Sequence, residues 1–300
     1  MFRSLFILTL VASSALILKS CGFQEEDCWE QEKRPLEQYI RENNITVKPT
    51  ESGLYYIPLE EGVGSSPMYN GLVEFEFTGE LLDGTVFGTT YDSVGEEAGF
   101  DDRSIVYGPV RIVVGTAIPG LAEGFQLMKA GGKAQLIMPS DLAYGRNSIG
   151  AIPSCATLIF TIHLQRIILD AYEDEKNAIA DFMYENGYDV DPTESGLYYI
   201  EHVAGTGDLI SFGDHVTIFY TGYFLDGRVF DSNYGEETGY GFRVTSDHVI
   251  DGWNEGIQLM KKGSKGTLIV PFDLAYGAEG SSMISPYMTL VFDMEVTDVN

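Results

Sequence analysis

Positive charge is scarce in this sequence. Lys and Arg number 18 against 45 Asp and Glu, a formal net charge of −27. So acidic a chain repels phosphate backbones, which argues against nucleic acid as a partner. The excess is read as a device for solubility. Histidine is scarce too: His163, His202, His215 and His248 are all there are. No two stand at the i, i+4 spacing of a helical zinc pair, and no acidic loop has a cation-binding pattern. No metal is expected, and all four are read as surface or packing residues. With 44% hydrophobic and 21% charged residues the balance is that of a globular protein, and long disordered stretches are not expected. At 300 residues the chain has room for about two domains, each with its own core.

The N-terminus holds an apolar run, Leu5 to Leu18, behind Arg3. It is short for a membrane span and suits the core of a signal peptide. Leu18-Lys19-Ser20-Cys21-Gly22 follows and resembles a bacterial lipobox, with a branched residue at −3 and a small one at −1. Residues 1–20 are therefore expected to be a signal peptide, and Cys21 a lipidated residue that anchors the chain in a bacterial cell envelope, facing the periplasm or the cell surface. The alternative is an ordinary secretory signal with an incidental cysteine. Gly22 to Asp27 is acidic, in the manner of some surface-export tethers. The other cysteines are Cys28 and Cys155. An exported protein can oxidise such a pair. Their spacing does not show that they meet, and unpaired thiols are the favoured expectation.

What the chain does have is an internal duplication. Pro49 to Ile57 recurs word for word as Pro192 to Ile200, an offset of 143. Asp27 to Lys48 aligns without a gap to Asp170 to Asp191. Farther on, Gly124 to Gly145 aligns with Gly256 to Gly277 at an offset of 132, with 15 of 22 residues identical. The first copy thus carries 11 extra residues between Phe87 and Gly115, and Thr89 to Arg103 is the expected place. The expected organisation is a tether and helix over 21–48, a first domain over 49–169, a linking helix over 170–191 and a second domain over 192–300.

Each copy opens with a helical stripe: Leu36, Tyr39 and Ile40 in the first, Ile179, Phe182 and Met183 in the second. Strand patterns follow. Val73, Phe75 and Phe77 alternate with polar residues, as do Leu290, Phe292, Met294 and Val296 with Val291, Asp293 and Glu295. Asp83-Gly84 and Asp226-Gly227 mark tight turns. One short helical piece lies around Asn254 to Met260. The class is α+β, a curved antiparallel sheet wrapped over a short helix in each copy.

The second copy carries an ordered set of motifs: Phe219-Tyr220-Thr221-Gly222, Leu225-Asp226-Gly227, Val229-Phe230-Asp231-Ser232, Tyr240-Gly241-Phe242, Val249-Ile250-Asp251-Gly252-Trp253, Asp273-Leu274-Ala275-Tyr276-Gly277 and Thr289-Leu290-Val291-Phe292-Asp293. In order and spacing it resembles the FKBP-type peptidyl-prolyl cis-trans isomerases along nearly the whole domain. The resemblance implies an apolar bowl that speeds rotation about X–Pro bonds, with proline-containing polypeptides as partners and no cofactor. Trp253 would form its floor. Tyr220, Phe230, Tyr240 and Phe292 would form its walls, Phe242 would be a further substrate-binding residue, and Val249 and Ile250 would form a rim with the Ile250 N–H on offer. Tyr276 would point its hydroxyl at the substrate carbonyl, Asp231 would orient polar groups beside Tyr220, and Ile284 would add an apolar contact from the Ala278 to Pro286 loop.

The first copy keeps Phe87, Ile118, Tyr144 and Phe160 but alters the set. Phe77 replaces Tyr220, Gly88 replaces Asp231 and Leu121 replaces Trp253, while Val110 and Ile112 stand for Tyr240 and Phe242. Weak or absent activity is expected there. The leading reading is an envelope isomerase that assists the folding of exported proteins, with catalysis in the second copy. Two alternatives stay open: a non-catalytic peptide-binding chaperone or assembly lipoprotein on the same fold, and a purely structural lipoprotein.

Overall fold

The computed structural model describes residues 27–100, 105–245 and 249–300. Cys21 and the expected signal peptide lie outside the described residues. No helix among the described residues is long and apolar enough to cross a membrane.

The first copy runs α1 (Cys28–Glu42), β1 (Tyr55–Glu60), β2 (Leu72–Leu81), β3 (Val86–Thr89), α2 (Asp92–Ala98), β4 (Val110–Val113), α3 (Pro119–Leu127), β5 (Gly132–Met138) and β6 (Leu158–Ile168). The second runs α4 (Ala171–Asn186), β7 (Tyr198–Val203), β8 (His215–Phe224), β9 (Val229–Ser232), β10 (Tyr240–Arg243), α5 (Asp251–Gln258), β11 (Lys265–Val270) and β12 (Leu290–Val299). Each copy builds a six-stranded antiparallel sheet. The path β1-β5-β6-β2, with β3 and β4 both on β2, is repeated as β7-β11-β12-β8, with β9 and β10 both on β8. The short helix α5 starts at Asp251, three residues earlier than the apolar spacing suggested. Ile250 is its N-cap, so the helix begins where the turn allows and not where the apolar stripe begins.

Both faces of the second sheet are covered, and the period of two sorts the residues between them. Leu268, Val270, Leu290, Phe292, Met294 and Val296 face α5 and enclose Trp253 and Ile257. The neighbours Ile269 and Val291, with Ile200, face the other way and pack under Ile179, Phe182 and Met183 of α4. Large apolar side chains buried this way each contribute roughly 1.5–3 kcal/mol. The same arrangement recurs in the first copy, where Leu36 of α1 covers Ile137 and Ile159. Each helix is therefore an outer layer of the sheet that follows it in the chain.

A buried glutamate fixes each docking. Glu175 Oε1 accepts from the Phe272 N–H at 2.7 Å and from the Thr289 hydroxyl at 2.6 Å. Burial pushes its carboxyl above the ordinary range, against the pull of these two bonds. Glu32, at the equivalent place in α1, accepts from the Ser140 N–H and hydroxyl and from the Thr157 hydroxyl, at 2.8–2.9 Å.

The expectation of unpaired thiols is corrected here. Cys28, the first residue of α1, forms a disulfide with Cys155, with Cα atoms 4.9 Å apart and a sequence separation of 127. The cause is the docking itself: the Glu32–Thr157 bond brings the first turn of α1 onto the segment that leads into β6.

The extra residues of the first copy also become specific. Gly79 pairs with Gly88 as Gly222 pairs with Asp231, and Phe75 pairs with Val110 as Ile218 pairs with Tyr240. Those registers bracket the insertion between Gly88 and Val110. Part of it is the short helix α2.

Candidate active site

The sheet of the second copy curves so that β8, β9 and β12 turn aromatic side chains toward the start of α5. Trp253 stands edge-on to Tyr220, ring centroids 4.8 Å apart, and edge-on to Phe292 at 5.0 Å. Phe230 meets Phe292 edge to face at 5.6 Å, and Tyr240 meets Trp253 at 6.2 Å. Edge-to-face contacts at these distances suit the ring quadrupoles and fix the rings in place. Gly222 makes this possible. A Cβ there would lie 2.6 Å from the Phe230 ring and 2.9 Å from the Phe292 ring.

The rings enclose a solvent-open cavity of about 230 Å³, lined by Tyr220, Phe230, Asp231, Tyr240, Val249, Ile250, Trp253, Tyr276 and Phe292. Nine of the eleven residues that the sequence singled out in this domain converge here. Trp253 and Phe292 form the buried floor, 7% and 4% exposed, while Tyr240 and Tyr276 are each 42% exposed at the opening.

Two expected substrate-binding residues are elsewhere. Phe242 is buried behind the wall, its ring 5.9 Å from that of Trp253. It lies two residues from Tyr240 on β10, but Tyr240 is exposed while Phe242 joins the hydrophobic core. Ile284 is also buried in that core, and its outer side borders a different cavity, between the two copies. The residues of 278–286 turn toward the first copy, so this loop brings Ile284 against it and not into the bowl.

The polar groups sit at the edge of the bowl. The Tyr220 hydroxyl donates to Asp231 Oδ2 at 2.5 Å. Burial, then this bond and the carboxylate charge, hold the Tyr220 phenol far above its ordinary value. Burial, then the charge of Asp231, raises Tyr276 in the same direction. Both hydroxyls thus stay protonated donors at neutral pH. The Ile250 carbonyl accepts from the N–H groups of Trp253 and Asn254 at the head of α5. The Trp253 indole N–H is buried with no acceptor among the described residues.

One supporting residue was not legible in the sequence. Asn233 is 5% exposed; its side chain accepts from the Tyr220 N–H at 2.7 Å and donates to the Ile218 carbonyl at 3.0 Å. It ties the end of β9 to β8 where Tyr220 projects. Its place two residues after Asp231 was the one available signal, and in sequence it passes for a turn residue.

In the first copy the counterparts are arranged differently. Phe75 and Phe125 pack edge to face at 4.8 Å, and Leu121 joins that core. Phe77, Val110 and Ile112 instead border the cavity between the copies.

A curved antiparallel sheet over a short helix, holding an aromatic bowl with tyrosine hydroxyls at its rim, defines an FKBP-like type of domain. The family described as FKBP-type peptidyl-prolyl cis-trans isomerase matches residues 64–165 and 208–297, one stretch in each copy, and the chain belongs to that family. It is 45% identical over 118 residues to a probable FKBP-type peptidyl-prolyl cis-trans isomerase of Haemophilus influenzae, covering 39% of this chain and 48% of that one. It is 37% identical over 145 residues to the FKBP-type peptidyl-prolyl cis-trans isomerase FkpA of Aeromonas hydrophila, covering 48% and 49%. The crystal structure of FkpA from Escherichia coli aligns at 36% identity over 43% of this chain and 62% of that one, with a TM-score of 0.38. The chain spans about half the length of the curated relatives it matches.

Proposed function

We propose that this protein is a peptidyl-prolyl cis-trans isomerase whose activity resides in the second copy, and that it assists the folding of exported proteins. One observation carries the reading: the rings of Tyr220, Phe230, Trp253 and Phe292 converge on an open hollow with Tyr276 at its lip.

Twisting a peptide bond forfeits resonance, a barrier of about 18–20 kcal/mol. X–Pro bonds populate both isomers but exchange over tens of seconds or longer. The planar amide is the more polar form, so an apolar bowl favours the twisted one, which is preferential binding of the transition state. In this reading the Tyr276 hydroxyl and the Ile250 N–H hold a carbonyl while the bond turns. Each ~1.4 kcal/mol of such preference is about tenfold in rate. Asp231 accepts from Tyr220 and so fixes that ring as part of the wall. Proline-containing polypeptides are the substrates, and no nucleophile is required.

The test is a proline-isomerisation assay on the full chain. Trp253→Leu and Asp231→Gly are expected to reduce the rate strongly, whereas Leu121→Ala in the first copy leaves it nearly unchanged. Loss of activity from Leu121→Ala alone, in a folded chain, would reverse this division of labour. A second reading, peptide binding without catalysis, gains support from the first copy, where the counterparts of Tyr220, Asp231 and Trp253 are Phe77, Gly88 and Leu121. A chain that protects unfolded clients but isomerises no prolyl peptide favours that reading.

Anchoring through a lipid on Cys21, in a bacterial cell envelope, rests on the sequence around that residue. Cys21→Ala is expected to release the protein from the membrane fraction. Retention of this variant would remove the lipid anchor from the proposal.

A further inference from the structure

Among the described residues, two of the contacts between the copies lead toward the bowl. Arg228 sits in β8–β9 hairpin, two residues before Phe230 and three before Asp231. Its guanidinium donates to the Tyr107 carbonyl at 2.9 Å and to the Pro109 carbonyl at 3.3 Å, while Asp226 holds its Nε at 2.7 Å. Gly108, between those carbonyls, has φ +108, and a Cβ on it would stand 2.7 Å from Arg228 Nη1. The chain at 107–109 thus closes around the arginine, and Val106 packs against the core of the second domain.

The second contact starts from Arg111 on β4. One terminal nitrogen donates to the Tyr287 carbonyl at 2.8 Å. Glu74 and Asp174 hold the remainder of the guanidinium at 2.9 and 3.1 Å. The Tyr287 N–H in turn donates to the Gly277 carbonyl at 2.9 Å, closing the base of the 278–286 loop beside Tyr276. A continuous path of bonds therefore runs from Arg111 through Tyr287 and Gly277 to the lip of the bowl. The loop itself borders a cavity of about 520 Å³ whose opposite wall is Ile105, Val106, Val110 and Ile112.

Apart from Glu74 on β2, these first-copy residues lie in the inserted stretch or on the strand directly after it. That is also where the counterparts of Tyr240 and Phe242 have become Val110 and Ile112. We propose that the first copy is a positioning module for the second: its insertion and β4 brace the Phe230–Asp231 wall through Arg228 and the Tyr276 lip through Arg111. Arg111 and Arg228 are positioning residues, since neither lines the bowl. The inference rests on the isomerase reading for its catalytic consequence, but the brace itself is measurable without it.

Three variants of the full chain test it by hydrogen exchange. Arg228→Ala is expected to speed exchange about tenfold in residues 228–232, the scale of losing hydrogen bonds from a charged donor. Gly108→Ala attacks the same contact from the first copy and should give the same signature in the second. Arg111→Lys keeps the charge beside Glu74 but loses the fork that reaches Tyr287, so faster exchange should appear in 277–287 instead. With a proline tetrapeptide as substrate, each variant is expected to raise KM several-fold with a smaller change in kcat, and Arg228→Lys should recover part of the loss. Unchanged exchange in both second-copy segments overturns the proposal. So does faster exchange spread evenly over the whole second copy, or local loosening with unaltered kinetics in an active chain. If the wild-type chain proves inactive as an isomerase, segment-specific loosening still supports the brace, and only the catalytic reading falls.

Discussion

Gly88 and Asp231 hold the same place in their two sheets, each opposite a glycine of the long central strand, Gly79 and Gly222. One copy therefore shows what the other's pocket becomes without its carboxylate. In the second copy Asp231 holds the Tyr220 hydroxyl; in the first, the phenylalanine Phe77 has no hydroxyl to hold. Asp231→Gly should lower the isomerisation rate by about tenfold or more, near 1.4 kcal/mol of transition-state preference. The reciprocal Gly88→Asp should restore nothing, because Leu121 still lacks the indole. A gain of activity in that variant, with the second copy disabled by Trp253→Leu, would contradict this account.

Trp253→Leu should act on two measurements at once. The indole floor contacts Tyr220, Phe292 and Phe242, so truncation costs roughly 1–3 kcal/mol of stability and removes the floor of the bowl. Denaturant titration should still show a cooperative transition while activity falls much further than stability. Parallel loss of both would mean that the tryptophan is core alone.

The rate should be flat across neutral pH. Burial first, then the Asp231 charge, keeps the Tyr276 hydroxyl protonated beyond its ordinary 10.0, and Tyr220 is raised in the same direction. No group in the proposed chemistry has to gain or lose a proton. A bell-shaped profile centred near pH 7 would point to acid–base catalysis instead.

Stability should change in acid through Glu74. Burial alone would raise its carboxyl, but Arg166 and Arg111 outweigh this and hold it below the ordinary 4.5. A carboxylate held low binds its proton later in the folded state than in the unfolded one. Its stabilisation is therefore present above pH 4.5 and is lost as pH falls through the folded value. Midpoints of chemical unfolding should favour wild type over Glu74→Gln above pH 4.5, and the gap should close on acidification. A gap independent of pH would exclude the carboxylate as its source.

Reduction of Cys28–Cys155 should cost about 2–5 kcal/mol in the first domain. Thermal unfolding with and without reductant, compared with Cys155→Ser, checks this. The midpoint of the variant should be insensitive to reductant.

Much of this was readable from residue order. Alternation gave the strands, and the motif spacing brought nine residues to one bowl, because that spacing is set by local backbone geometry. Contacts between distant segments were not readable. Glu32 and Glu175 look like surface residues of amphipathic helices, and only the folded sheet supplies the hydroxyls and N–H groups that bury them. Cys28 meets Cys155 through that same docking. Phe242 and Ile284 failed for a related reason. Sequence places them near the bowl but does not say which way the strand or loop turns; both side chains end in the core, and the loop faces the first copy.

The bond between Cys28 and Cys155 has a mechanical meaning. Load that enters the chain at Asp27 reaches the covalent link one residue later and passes to the approach of β6, a strand at the interior of its sheet. Residues 29–154, the rest of helix α1 included, are thereby closed in a covalent loop outside the force path, and pulling acts on β6 between its sheet neighbours before any turn of that helix can peel away.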